Sequence, residues 1–180
     1  MASNRWAILL DLDQTLVMTS ALAELRRQRQ WKQVYNLFHL TELPPGTHRF
    51  LQEAQRLASL GIITTSPRTY AERLVAYHRC QVPVIVAYHD TPRQKPAPDS
   101  ILIAAQKLQV PAASCFYIGD TLDDIIAATN ASAIPIGLGW DDSLKNQEVP
   151  LTCRLCRSWD EVLAVIKTTM AGRGARGGLH

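Results

Sequence analysis

Trp6-Ala-Ile-Leu-Leu-Asp11-Leu-Asp13-Gln-Thr15-Leu16 is the stretch on which the reading of this chain turns. Five consecutive apolar or aromatic positions, Trp6–Leu10, run into two aspartates spaced i, i+2 and then a threonine. An unbroken apolar run of this kind fits a strand buried on both faces, as in the middle of a parallel sheet. Ionised carboxylates at the mouth of such a strand are costly to desolvate unless a cation or hydrogen-bond donors stand nearby. Counter-charge is therefore expected at that end, supplied from elsewhere in the chain.

Working outward, short apolar runs alternate with amphipathic segments. Gly61-Ile-Ile63, Val82–Tyr88, Phe116–Gly119 and Ala133–Leu138 read as strands. Thr47, Phe50, Leu51, Ala54, Leu57 and Ala58 mark a helix that Gly61 is expected to end. Further helices are expected from Tyr70, from Asp99, over Ile125–Thr129, and from Trp159 to Met170, the last stopped by Gly172. Strands alternating with helices imply the α/β class: a doubly wound parallel sheet with helices on both faces. One domain is expected over residues 1–171, with a glycine- and arginine-rich tail, Gly172–His180, expected to be disordered. Residues 17–43 form an insert after the first strand. Leu22 and Leu25, then Trp31, Val34, Tyr35 and Phe38, predict two short helices there. Between them Arg26-Arg27-Gln-Arg29-Gln-Trp31-Lys32 is densely basic, readable as a solvated helix face or as a small lid that steers an anion.

Composition sets outer limits. With 180 residues, 47% hydrophobic and 19% charged, the chain is neither disordered nor short of a core. A net charge of +3 is too small to argue for nucleic acid. No run approaches the roughly 20 apolar residues that span a bilayer, and Met1–Asn4 opens no secretory signal, so a cytoplasmic location is expected. Cys153 and Cys156 have C-x-x-C spacing, but Cys80, His78 and His89 lie far off in sequence. Two free thiols near the surface are expected there rather than a structural zinc.

Three strand-like runs end in polar groups. The first ends in Asp11 and Asp13, Gly61–Ile63 in Thr64 and Thr65, and Phe116–Gly119 in Asp120, with Asp124 one helical turn on. Lys95 stands in a proline-flanked loop before a helix. In an open parallel sheet, ligands sit beyond the carboxyl ends of the strands. If these strands are neighbours, several carboxylates share one crevice and need a divalent cation, for which oxygen donors suit Mg²⁺. A lysine and hydroxyls beside such a metal suit an incoming phosphoryl group.

These residues together resemble the haloacid dehalogenase (HAD) superfamily, in its phosphoglycolate-phosphatase-like form. Asp11-Leu-Asp13-Gln-Thr15 is similar to its DxDxT signature, and Gly61-Ile-Ile-Thr64 to its second motif. Lys95-Pro-Ala-Pro98 resembles its K-P-x-P loop, and Gly119-Asp120-Thr-Leu-Asp-Asp124 its GD(S/T)xxD motif. The resemblance implies a Rossmann-like core and Mg²⁺-dependent hydrolysis of a phosphomonoester. Asp11 would be the nucleophile, forming an aspartyl-phosphate, and Asp13 the general acid and base. Thr64 and Thr65 would hold the phosphoryl group, and Lys95 would neutralise charge. The metal would be held by Asp11, the main-chain carbonyl of Asp13, Asp120 and Asp124.

Arg26, Arg29 and Arg68 are candidate substrate contacts, with Trp31, Tyr35 and His89 as further guesses by position. The insert of about 25 residues, at about 1.5 Å rise per residue, is a rudimentary cap beside the longer caps of larger relatives. The expected partner is a small phosphorylated metabolite. A macromolecular phosphate, or a role as a non-catalytic binding module, stands as the alternative.

Overall fold

The computed structural model describes residues 6–140, 144 and 147–176. Six parallel strands form one sheet: β1 (Ala7–Asp11), β2 (Ser59–Ile63), β3 (Val84–Val86), β4 (Cys115–Gly119), β5 (Ile134–Leu138) and β6 (Arg154–Cys156). Their order across the sheet is β3-β2-β1-β4-β5-β6. The order reverses between β1 and β4, the switch point of a doubly wound fold, where a crevice opens beyond the strand ends. The register aligns Leu10 with Ile62 and Ile118, so the ends of β1, β2 and β4 lie level.

β1 is central because it is apolar on both faces. Ile8 and Leu10 pack into a core layer with Leu60, Ile62, Phe116 and Ile118. Ala7 and Leu9 face the opposite layer with Ile63 and Tyr117. This is the period of two that a strand imposes on its side chains. The first layer holds α3 (Thr47–Leu57), α4 (Arg68–Tyr77) and α7 (Trp159–Arg176), and the second holds α5 (Asp99–Leu108) and α6 (Leu122–Asn130). Phe50 of α3 stacks on Trp159 of α7 with centroids 4.1 Å apart, and the Trp159 indole donates to the Thr47 hydroxyl at 2.8 Å.

Several expectations need correction. Gly61 does not end a helix. The helix stops at Leu57, and Gly61 sits inside β2, where a Cβ would lie 2.8 Å from Leu9 Cδ2. The run Val82–Tyr88 contributes only three strand residues before turning into a 3₁₀ turn at Tyr88–Asp90. Arg154–Cys156, read only as a cysteine spacing, is the edge strand β6. Both cysteines of that spacing are buried, Cys156 in the main core and Cys153, just before the strand, beside Ile125 and Leu144, so neither thiol is at the surface.

The last helix runs through Gly172 to Arg176 instead of stopping. Gly172 faces open space, and the Arg173 guanidinium lies over the Trp6 ring and donates to the Ala113 carbonyl at 2.5 Å. A solvent-facing glycine costs a helix only about 1 kcal/mol, which such anchoring offsets. Residues 177–180 of the expected tail lie outside the described residues. Among the described residues no helix is long and apolar enough to cross a membrane.

The insert carries α1 (Ala23–Arg27) and α2 (Trp31–Asn36), closed at its neck by reciprocal backbone bonds between Met18 and Glu42 of 2.8 and 3.3 Å. Leu22, Val34 and Phe38 are buried in the main core. Phe38 meets the rings of Tyr70 and Tyr77 on α4 at 5.9 and 5.7 Å, and Trp31 meets Tyr70 at 5.7 Å. The insert is thus a docked part of the domain.

Candidate active site

Asp11 ends β1, and Asp120 follows β4 directly. Asp124 lies in the first turn of α6, positioned by a capping box in which the Thr121 hydroxyl accepts from the Asp124 N–H. One carboxylate oxygen from each of Asp11, Asp120 and Asp124 lies within 4.8 Å of the others. All three residues are buried. Lys95, from the loop before α5, reaches between them, with Nζ 2.5 Å from Asp11 and 2.6 Å from Asp124. The counter-charge expected at the mouth of β1 is therefore present.

Burial pushes the Asp11 carboxyl well above the usual range, with Asp124 and Asp120 adding to the rise and Lys95 opposing it. Burial likewise pushes Asp120 up to about 6, against a hydrogen bond of 2.6 Å from the Thr15 hydroxyl. Asp124 behaves differently. Burial would raise it, but the Lys95 charge and hydrogen bonds from Lys95, Thr121 and Tyr117 hold it below the usual range. Its oxygens accept from Lys95, from the Tyr117 hydroxyl at 2.8 Å, and from the Thr121 hydroxyl and N–H at 2.6 and 3.1 Å. Asp124 is thus the anchor of the lysine, while burial and mutual repulsion oppose the ionisation of Asp11 and Asp120, so that charging both calls for a cation beyond the one lysine. An all-oxygen donor set with excess negative charge fits Mg²⁺.

Asp13 is turned the other way. Its carboxylate accepts from Thr19 (2.9 Å), Ser66 (2.9 Å) and Tyr70 (2.7 Å), and pairs with Arg26 at 2.6 Å. It lines the same cleft of about 300 Å³ as Asp11, Lys95, Asp120 and Asp124, without its side chain joining the carboxylate trio.

The other predicted contacts divide. Thr65 is exposed and lines the cleft, whereas Thr64 is buried, lines neither cavity at the site, and accepts the Ser66 N–H at 3.0 Å. Arg26 lines the cleft but is committed to Asp13, Thr19 and Ser66. Arg68 lines neither cavity at the site. It opens α4 facing the end of β3, where it bonds the Ile85 carbonyl at 3.0 Å and the Asp90 carboxylate. Tyr35 packs on Phe38 under the Arg73 guanidinium and lines neither cavity at the site. Arg29, Trp31 and His89 line a second cavity of about 500 Å³. Among the described residues no group of cysteines and histidines gathers for a metal. Among those residues the one cluster of three candidate ligands is Asp11, Asp120 and Asp124.

A family model for haloacid dehalogenase-like hydrolases matches residues 23–136. The chain belongs to the haloacid dehalogenase-like hydrolase family. The matched span holds Thr64, Lys95, Asp120 and Asp124, and Asp11 and Asp13 precede it. An imidazoleglycerol-phosphate dehydratase from Phytophthora nicotianae is 34% identical over 97 residues, 53% of this chain and 21% of that protein. A phosphoglycolate phosphatase from Xanthomonas campestris pv. campestris is 29% identical over 104 residues, 55% of this chain and 46% of that protein. The chain thus spans less than half the length of these curated relatives.

Among solved structures, CbbY from Rhodobacter sphaeroides in complex with phosphate superposes with a TM-score of 0.75 at 21% identity, over 87% of this chain and 95% of that one. A predicted phosphoglycolate phosphatase from Haemophilus somnus superposes with a TM-score of 0.73 at 17% identity, over 92% and 99%. At such identities these structures bear on the fold of this HAD-like hydrolase.

Sequence reasoning missed Tyr117, Tyr70, Ser66 and Thr19. Tyr117 left a signal: a phenol inside an otherwise apolar buried strand must find a partner for its hydroxyl. Tyr70, Ser66 and Thr19 left none, because they meet Asp13 only after the insert docks on α4.

Proposed function

We propose that this HAD-like hydrolase is a Mg²⁺-dependent phosphatase that cleaves phosphomonoesters in two steps. The observation that carries the reading is the division of labour between two carboxylates two residues apart. Asp11 belongs to a carboxylate trio and faces a lysine, while Asp13 faces hydroxyls and a guanidinium.

Asp11, Asp120 and the backbone near Asp13 would hold Mg²⁺, with Asp124 close by. When bound, the ion shields the negative charge of Asp11 from that of the phosphate. A carboxylate oxygen of Asp11 attacks phosphorus and the bond to the ester oxygen breaks, leaving phosphate on Asp11. Asp13 gives its proton to the departing oxygen, so an alcohol leaves. Water then attacks the same phosphorus, Asp13 takes its proton, and the Asp11–phosphate bond breaks to regenerate the carboxylate. Lys95 stabilises charge on the phosphoryl oxygens throughout. Thr65, which faces the cleft, is better placed than Thr64 to contact those oxygens, and Thr64 shapes the loop that carries it. Tyr70, Ser66 and Thr19 hold Asp13 in one orientation.

A small phosphorylated metabolite is the substrate class favoured, in keeping with the phosphoglycolate phosphatase among the relatives. Phosphate release from a panel of phosphomonoesters tests the reading. It should require Mg²⁺ and fall by at least about 10³-fold in Asp11→Asn, which keeps the shape but removes the nucleophile. Activity surviving in that variant would refute the assignment.

A further inference from the structure

The cleft and the larger cavity beside it share Arg26, Thr65 and no other lining residue. A phosphoryl group at Asp11 would therefore project its leaving group past Arg26 and Thr65 into the second chamber. That chamber is lined by Arg26, Arg27, Arg29 and His89, with no acidic residue among the described residues of its wall. Two of the three guanidinium groups are already engaged: Arg26 pairs with Asp13 at 2.6 Å, and Arg27 with Glu24 at 2.5 Å. Arg29 is exposed, and among the described residues its side chain makes no hydrogen bond or ion pair.

The backbone fixes how this side chain is presented. Arg29 has φ +56°, in the left-handed region. Its N–H bonds the Arg26 carbonyl at 3.0 Å while the Gln30 N–H bonds that of Leu25 at 2.9 Å, the paired bonds of a Schellman helix stop. Glycine is the favoured residue at that position, because a side chain there is strained. Arg79, Gln109 and Ser132 end their helices in the same conformation, so the helix stop alone assigns no role; it is the unpaired guanidinium on the wall of a chamber without acidic residues that points to one.

We propose that the chamber receives the leaving group of the phosphoester and that Arg29 binds a second anionic group on it, a phosphate or a carboxylate. The proposal rests on the phosphatase reading for its first half. A guanidinium matches either anion through paired N–H donors, and it acts here as a specificity-determining residue. The Arg29 variants should fold. Arg29→Gly relaxes the backbone and removes the charge, whereas Arg29→Ala removes the charge and keeps the strain.

The test measures kcat/KM for two substrate pairs, together with p-nitrophenyl phosphate as a singly anionic reporter. Glucose 6-phosphate against glucose 1,6-bisphosphate probes a second phosphate, and ethyl phosphate against 2-phosphoglycolate probes a carboxylate. The wild-type protein should prefer the doubly anionic member of at least one pair by about tenfold or more, and both variants should remove most of that preference. Arg29→Gly alone should also raise Tm, by about 2–4 °C. No preference in either pair, or a preference that survives both variants, overturns the proposal.

If no phosphoester, the reporter included, is hydrolysed, it is the phosphatase reading that fails. The chamber is then judged by calorimetric binding of glucose 1,6-bisphosphate and 2-phosphoglycolate. Binding weakened about tenfold by Arg29→Gly sustains the anion site. Absent binding, or binding indifferent to Arg29, removes it.

Discussion

Asp120 and Asp11 carry their carboxyls above the ordinary range because burial and neighbouring carboxylates penalise the charged form. For Asp120 the folded value of about 6 stands against 3.8 for the free group. Between these values the folded state binds more protons than the unfolded one. Its contribution to stability is therefore complete below about pH 4 and is lost as pH rises through about 6, a swing on the order of 3 kcal/mol. In chelator, raising pH from 5 to 7.5 should reveal this loss as a lower Tm, and Mg²⁺ should raise Tm far more at pH 7.5 than at pH 5. Equal stabilisation at both pH values would argue against a cation among these carboxylates. Tyr117 is a second residue-scale test. Tyr117→Phe deletes one of four donors to a buried carboxylate and a contact of 3.2 Å to Lys95, so denaturant unfolding should show a loss of about 1–3 kcal/mol. Gly119→Ala should be worse, since its Cβ would fall 2.4 Å from Asp124 Cβ and Cγ, atoms fixed by the capping box. Phosphate release should fall with it, because Asp124 must move and Lys95 with it.

At the scale of elements, the insert and α4 act as one piece. Phe38 is 5% exposed and wedged between Tyr70 and Tyr77, and Tyr70 in turn donates to Asp13. Phe38→Ala should cost about 3–5 kcal/mol by removing a large buried ring. It should also lower kcat, because the loosened Tyr70 no longer holds Asp13. A variant that loses stability without losing kcat would separate the aromatic cluster from the acid/base. The two short helices were legible from the spacing of Leu22 and Leu25 and of Trp31, Val34, Tyr35 and Phe38. Their docking was not, because periodicity identifies an apolar face and leaves its partner open. Arg68 shows the same limit: a cation beside the second motif in sequence turns away from the cleft because α4 begins there and points it at β3.

For the whole molecule, the strand order places β1 and β4 side by side although more than a hundred residues separate Asp11 from Asp120. The core layers on the two faces share β1, and the insert is part of the larger layer. Cooperative unfolding as one unit follows. The urea transition followed by tryptophan fluorescence in a Trp6→Phe, Trp140→Phe, Trp159→Phe background, which leaves Trp31 of the insert as the reporter, should coincide with that followed by far-ultraviolet circular dichroism of the same variant. An early fluorescence transition would mean that the insert melts on its own. Edge strand β6 escaped the sequence reading because three residues, exposed at Arg154 and Leu155 and buried only at Cys156, carry too little pattern to distinguish from a loop. It is the backbone of β5 beside them that makes them a strand.

The sequence by itself determined the α/β alternation, the buried strand that ends in Asp11, and the identity of the carboxylates and lysine that meet there. Those are properties of apolar runs and of residue chemistry at strand ends, which are local along the chain. Only the tertiary structure decided that Asp13 faces Thr19, Ser66, Tyr70 and Arg26 instead of the carboxylate trio. It alone decided that Asp124 serves Lys95, and that Arg29 stands unpaired in a second chamber. Each of these depends on which side chains from distant segments reach the same few ångströms, and that is settled by packing of the insert and helices against the sheet.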